Sequence, residues 1–336
     1  MRYLDERVWV ILNELRPLID RQHIDITKWQ IKKKLFMRPC EADKDETPWE
    51  NFDSAKDRWY GKDTYYWFRS QFTVPQSMDG KCIFLKIHTQ IEEWDDGRNP
   101  QFLLFINGKV TQGQDMNHRE VRLTDCAKAG ETYTLDLQAY TGILHNEFSL
   151  MVTASETDLA LLKLYYDLKA PADAYHYNRM MQGRTKSLIV EALNGALNLL
   201  DLRTPHSPEF DASVAAAQEY INEHLYKNPE LSGHNDIIAS SIGHTHIDVA
   251  WWWTVSQTRE KTARSFSTVL KLMEEYPNYK FMSSQPQLYV FLKERYPEVY
   301  EKVKERVKEG RWIPEGGMWL EADCNLTSGE SLVRQF

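Results

Sequence analysis

Cysteine is scarce in this chain, and its four copies (Cys40, Cys82, Cys126, Cys324) stand far apart with no CxxC pair. That spacing offers no disulfide framework and points to free thiols in a reducing compartment. Long apolar runs are missing as well: no segment approaches the ~18–20 residues of a membrane span. The opening Met1-Arg2-Tyr3-Leu4-Asp5-Glu6-Arg7 carries acids and lacks the apolar core of a signal peptide. A cytoplasmic protein with no membrane partner is the expectation. Basic charge is in deficit, with a net charge of −8, which argues against a nucleic-acid partner because phosphate binding needs a basic surface. What the chain does have is ordinary for a globular protein, 42% hydrophobic and 27% charged residues over 336 positions, enough for two or three domains. Its 11 Trp and 17 Tyr suit a sugar-binding surface or a large core equally well.

The texture of the chain changes three times. Residues 1–44 read as an N-terminal helical segment, with Val8, Ile11, Leu12 and Leu15 at helical spacing and Lys32-Lys33-Lys34 as a solvated face. Residues 45–156 read as a β-sandwich of jelly-roll type. Alternating segments at 65–74, 82–87 and 132–137 accompany Leu103-Leu104-Phe105-Ile106, which runs into the hairpin signal Asn107-Gly108. Residues 157–232 return to helix as a linker punctuated by Pro171, Pro205 and Pro208. From 233 to 336 a βαβαβ order, with strands at 237–243, 279–284 and 311–315, predicts parallel strands with right-handed crossovers. The fold class expected is thus multidomain: helices and a β-sandwich, a helical linker, then the first strands of a parallel α/β domain.

Ligands bind at the carboxyl ends of such strands. There the chain carries Gly243-His244-Thr245-His246-Ile247-Asp248-Val249-Ala250-Trp251-Trp252-Trp253. On an extended strand His244, His246 and Asp248 leave one face, with Cα atoms about 6.5–7 Å apart, and imidazole and carboxylate are good ligands for a divalent metal such as zinc. His246 and Asp248 make the better pair, with His244 able to orient a ligand instead. Trp251 is the candidate sugar platform, and Trp252 and Trp253 are assigned to packing. Asp323, on the same rim, is either catalytic or the cap of the helix starting near Ser328. Glu321 reads as a solvated or structural acid, Gly316-Gly317 as a tight turn or close backbone approach, and Arg264 as either an ion-pair partner of a rim acid or a surface charge.

These segments, together with Lys261 and Arg264-Ser265-Phe266, and with Glu315-Gly316-Gly317-Met318-Trp319-Leu320-Glu321-Ala322-Asp323-Cys324-Asn325-Leu326 and Ser328-Gly329-Glu330-Ser331, resemble the α-mannosidases of glycoside hydrolase family 38. The likeness is closest to their cytosolic and bacterial branch and spans roughly residues 235–336. Trp67-Phe68-Arg69 and Leu104-Phe105-Ile106-Asn107-Gly108-Lys109 resemble that branch's N-terminal module less diagnostically. The resemblance implies a seven-stranded barrel and one divalent ion, zinc or else cobalt, on His246, Asp248 and Asp323. It also implies Asp323 as the nucleophile of a retaining mechanism, Trp251 against the mannose ring, mannose-containing oligosaccharide as substrate, and a homo-oligomeric full-length form. In that family the acid/base carboxylate and a further ligating His come from later in the chain. The 336 residues therefore read as an N-terminal fragment expected to show little or no activity alone. Two rivals remain: an amidohydrolase-type metal-dependent hydrolase, which also places HxH after a first strand, and a carbohydrate-binding protein with a remnant catalytic domain.

Overall fold

The computed structural model describes residues 2–90, 100–177, 183–231 and 240–336. Part of the expected first strand (237–239) and the expected boundary at 232/233 lie outside the described residues.

Two antiparallel sheets, one of six strands and one of four, face each other over residues 20–157. Period-two alternation explains both faces of the larger sheet. Along Tyr65–Thr73, Tyr66, Phe68 and Phe72 enter the core shared with the four-stranded sheet, and Trp67 enters a second core on the opposite side. Along Gln101–Ile106 the same split sends Phe102 and Leu104 one way and Leu103 and Phe105 the other. Burial on both faces is why this strand reads as an unbroken apolar run. Its hairpin to Lys109–Gln114 turns at Asn107 and Gly108, with φ of 51° and 78°, left-handed values that favour these two residue types.

The first 44 residues depart from the helical expectation. Helix α1 (Arg2–Leu15) gives way to a short turn over Arg16–Ile19 and to strands Asp20–Asp25 and Lys28–Lys32, one joining each sheet. Pro17 cannot extend the helical hydrogen-bond ladder, and the pairs Ile24/Ile26 and Trp29/Ile31 repeat at strand spacing. Lys32 is not solvated: it is buried, and its ammonium donates to the carbonyls of Ala42 (2.7 Å) and Asp45 (3.0 Å) near helix α2 (Pro39–Lys44).

The stretch read as a linker has its own core. Helices α3 (Leu159–Tyr177), α4 (Arg184–Leu199) and α5 (Pro208–Ile221) bury Leu161, Leu168, Leu193, Ala196 and Phe210 together with Val8 and Leu12 of α1. These helices are therefore a packed unit built from two distant parts of the chain.

The α/β portion is a three-stranded parallel sheet of Gly243–His244, Phe281–Met282 and Trp312–Ile313. Its strands are shorter than the sequence pattern suggested. Helix α6 (Val255–Glu275) makes the first crossover, and α7 (Pro286–Arg295) with α8 (Pro297–Lys308) makes the second. Helix α9 (Gly329–Val333) follows, capped by the Ser328 hydroxyl, which accepts from the Ser331 N–H at 3.2 Å. The outer face of the six-stranded sheet and these crossover helices share one core, where Trp67, Leu103 and Phe105 meet Phe266, Phe281, Leu292 and Trp312. The approach is closest at Gly113, where a Cβ would stand 2.5 Å from the Arg264 carbonyl oxygen. Backbone cannot move aside as a side-chain tip can, so Gly113→Ala should destabilise the fold by about 1–3 kcal/mol. A denaturant midpoint unchanged by that substitution would show the contact to be slack.

Candidate active site

Two loops at the carboxyl ends of the parallel strands form the site. The first, residues 245–253, runs from strand Gly243–His244 to α6, and the second, residues 314–327, runs from strand Trp312–Ile313 to α9. Gln285, ahead of α7, ties them together. Its buried side chain donates to the Ile247 carbonyl at 2.8 Å and faces the Glu321 N–H at 3.5 Å, the outer limit of a hydrogen bond. Gly316 lies so near the second strand's end that a Cβ would come within 2.6 Å of the Ser284 Cβ, the close approach expected of that glycine.

His246, Asp248 and Glu321 converge, each offering a ligand atom within 4.8 Å of the others. Among the described residues this is the one cluster of three or more His, Cys, Asp or Glu side chains that a metal ion would fit. The imidazole lies between the two carboxylates, with Nε2 at 3.2 Å from Asp248 Oδ1 and Nδ1 at 3.3 Å from Glu321 Oε1. Atoms bound to a tetrahedral zinc at ~2.0–2.2 Å stand ~3.3–3.6 Å apart, so either pair matches one edge of such a tetrahedron. One ring, however, gives one nitrogen to one ion, and the second N–H of a ligating histidine normally donates to a carboxylate. The cluster thus fits a metal on one side of His246 and an orienting acid on the other.

The remaining candidates lie on the same two loops or on the strand before the first, apart from Arg264 on α6. His244 is exposed and lines, with His246, a cavity of about 250 Å³. Asp323 lies on the second loop, exposed, with Oδ1 accepting the Asn325 N–H at 2.9 Å. It stands outside the three-residue cluster, and the α9 cap is Ser328 rather than Asp323. Trp251, on the first loop, is 65% exposed. Trp253 packs as expected, its indole N–H donating to Thr258 at 3.1 Å, whereas Trp252 is exposed. Arg264 is neither ion-paired to a rim acid nor on the surface. It is buried, and its guanidinium donates to Gln101 Oε1 at 2.6 Å and to Gln257. Burial pulls its pKa below the ordinary arginine value, against the opposing pull of Glu260.

Two features escape sequence reasoning. Glu321 is exposed, as a solvated or structural acid would be, but nothing local reveals that a histidine 75 positions earlier faces it. Asp115 and His118 of the β-sandwich line the same cavity as His244 and His246, and no linear pattern announces that juxtaposition.

The parallel sheet thus carries a histidine–carboxylate cluster at its carboxyl rim, a donor set that suits a divalent metal. Residues 236–336 match the glycosyl hydrolases family 38 N-terminal domain. Alpha-mannosidase G of Dictyostelium discoideum is 31% identical over 294 residues, covering 81% of this chain and 25% of that protein. Alpha-mannosidase 2C1 of Homo sapiens is 30% identical over 292 residues, 80% of this chain and 26% of that one. The Saccharomyces cerevisiae alpha-mannosidase is 35% identical over 152 residues, 43% of this chain and 14% of that one. Residues 236–336 thus match the family 38 N-terminal domain, and some four fifths of the chain is similar to proteins named α-mannosidase. The chain spans about a quarter of the length of the Dictyostelium and human relatives. The match sets the amidohydrolase rival aside. Among solved structures, a β-glucuronidase from an uncultured Clostridium aligns over 41% of this chain and 29% of that one with 14% identity and a TM-score of 0.28, a likeness too slight to bear on function. No helix among the described residues is long and apolar enough to cross a membrane.

Proposed function

We propose that this chain supplies the metal-binding and nucleophile-bearing part of a retaining α-mannosidase acting on terminal α-linked mannose of oligosaccharides. The observation that carries this reading is His246 held between Asp248 and Glu321 on a loop that belongs to the family 38 domain. Zinc is the ion that suits the donor set, with cobalt as the alternative, and His246 and Asp248 would hold it with Asp323. The two nitrogen–oxygen distances do not by themselves choose the metal side. We take Nε2 and Asp248 as the metal side, in keeping with the ligand set that the resemblance implies, and Glu321 as the acid that fixes the imidazole. When bound, such an ion acts as a Lewis acid and template for sugar hydroxyls.

The chain's own residues divide the remaining work. The Asn325 N–H orients the Asp323 carboxylate, which would attack the anomeric carbon of a mannoside laid on Trp251. A retaining mechanism needs a second carboxyl group about 5–5.5 Å from the nucleophile. Asp248 and Glu321 are both engaged by His246, so we assign that role to no residue here. We further propose a cytoplasmic setting, homo-oligomeric assembly of the full-length form, and three strands that belong to a seven-stranded barrel. The parts of the chain are, on this reading, 1–44, 45–156, 157–232 and 233–336.

Zinc-loaded chain should bind methyl α-mannoside while leaving an aryl α-mannoside at background turnover. Trp251→Ala should weaken that binding about tenfold, the loss expected for one stacking face worth about 1–1.5 kcal/mol. Calorimetry with and without chelator reads the first expectation and chromophore release the second. Mannoside binding indifferent to zinc, or robust turnover, would overturn this assignment.

A further inference from the structure

The 250 Å³ cavity beside His246 is walled on one side by the β-sandwich and on the other by the first site loop and α6. Its lining includes residues of both charge signs. Asp115, His118, His244 and His246 line it together with Lys261 and Arg264, the Lys261 ammonium lying 4.5 Å from the Trp253 ring centroid and the Arg264 guanidinium held by Gln101 and Gln257. Asp115 is held rigidly. Its Oδ1 accepts the backbone N–H groups of Asn117 and His118, both at 2.8 Å, and lies 3.1 Å from His118 Nδ1. Among the described residues none donates to its Oδ2. Burial opposes ionisation of Asp115, but the hydrogen bond and charge of His118 and the two backbone N–H groups outweigh it, holding the carboxyl below its ordinary range.

The lining decides between ligand classes. A second metal ion is disfavoured, because the one converging group of three ligands among the described residues is the His246 cluster. An anion would find the Arg264 guanidinium already engaged by Gln101 and Gln257 and would meet the fixed Asp115 carboxylate, a like charge. An apolar guest would strip water from charged groups and return no hydrogen bonds. A neutral polyol satisfies all of them, since each hydroxyl donates to a carboxylate and accepts from a cation in the same contact.

We propose that this cavity is a second sugar subsite, in which Asp115 and His118 of the β-sandwich, with Lys261 of α6, hold the saccharide unit adjacent to the one bound at His246. The assignment of that neighbouring unit as a mannoside rests on the proposed function. The β-sandwich is then a specificity element of the site. It is brought there by the Gly113–Arg264 contact and by the Arg264–Gln101 hydrogen bond of 2.6 Å.

The test is calorimetric, on the intact zinc-loaded chain, with methyl α-mannoside and α-mannobiose as probes. Wild-type chain should bind mannobiose roughly tenfold or more tighter, as a charge-assisted hydrogen bond to a second unit would give. Asp115→Asn and His118→Gln should each remove that advantage while leaving methyl α-mannoside affinity, zinc affinity and thermal midpoint unchanged. Mannobiose binding no tighter than methyl α-mannoside, or variants that weaken both sugars alike or neither, would overturn the subsite. The two readings fail separately. Asp115-dependent disaccharide binding that ignores zinc removal and His246→Ala would keep the subsite and discard the metal-centred assignment. Zinc-dependent methyl α-mannoside binding with no disaccharide gain would do the reverse.

Discussion

Glu260→Ala should cost about 3–5 kcal/mol of folding free energy, the penalty for breaking a buried ion pair, read as a fall in urea midpoint with the slope unchanged. Glu260 is fully buried on α6, pairs with Arg295 of α7, and accepts the Tyr296 hydroxyl hydrogen at 2.8 Å. One turn further along α6 lies buried Arg264, whose charge Glu260 helps to sustain. Burial first, and Glu260 second, hold the Tyr296 phenol well above its usual pKa, so it stays a donor. Tyr296 also accepts from Gln138 of the six-stranded sheet at 3.0 Å, and the same amide donates to the Phe36 carbonyl at 2.6 Å. The alanine variant would leave two arginines and a tyrosine with an uncompensated share of charge and hydrogen bonding at the junction of sandwich and crossover helices. Replacing both partners, as in Glu260→Leu with Arg295→Met, should recover much of the loss, because no lone buried charge then remains. A loss below about 1 kcal/mol for the single variant would show that water reaches the pair.

Zinc affinity should fall by orders of magnitude in His246→Ala, which removes the one imidazole of the cluster, and by about 10–100-fold in Glu321→Gln. The second figure is the more informative. If Glu321 were a direct ligand, its loss would resemble that of Asp248→Asn. If it orients the ring through Nδ1, at its present 3.3 Å, an amide oxygen can still accept that N–H and part of the affinity survives. Competition with a chromophoric chelator measures all three variants on one scale. Equal, severe losses for Asp248→Asn and Glu321→Gln would make Glu321 a ligand and Asp323 dispensable to the ion.

Much of the fold was legible where a local rule has no tertiary rival. Asn107-Gly108 demands left-handed backbone and turns a hairpin. The amphipathic pattern over 257–275 is helix α6, and the segments at 65–74 and 132–137 are paired strands. Legibility ended where long-range packing decides. Residues 16–32 look compatible with a continuing helix until Pro17 and the two sheets claim them. The helices after 157 look like a linker until α1 completes their core. In the site, the spacing of His246 and Asp248 could be read directly and Asp323 from its place on the same rim, whereas its role as nucleophile came only from the resemblance. Glu321, Gln285 and the Asp115–His118 pair act through partners dozens to over a hundred residues away, which no local pattern encodes.

Anomalous diffraction at the zinc edge from zinc-soaked crystals of the chain tests the metal centre most directly. The expected result is a single ion within bonding distance, ~2.0–2.2 Å, of His246 Nε2 and an Asp248 carboxylate oxygen, with Glu321 remaining on Nδ1. An ion on Nδ1 and Glu321, or one bound away from His246, would contradict it.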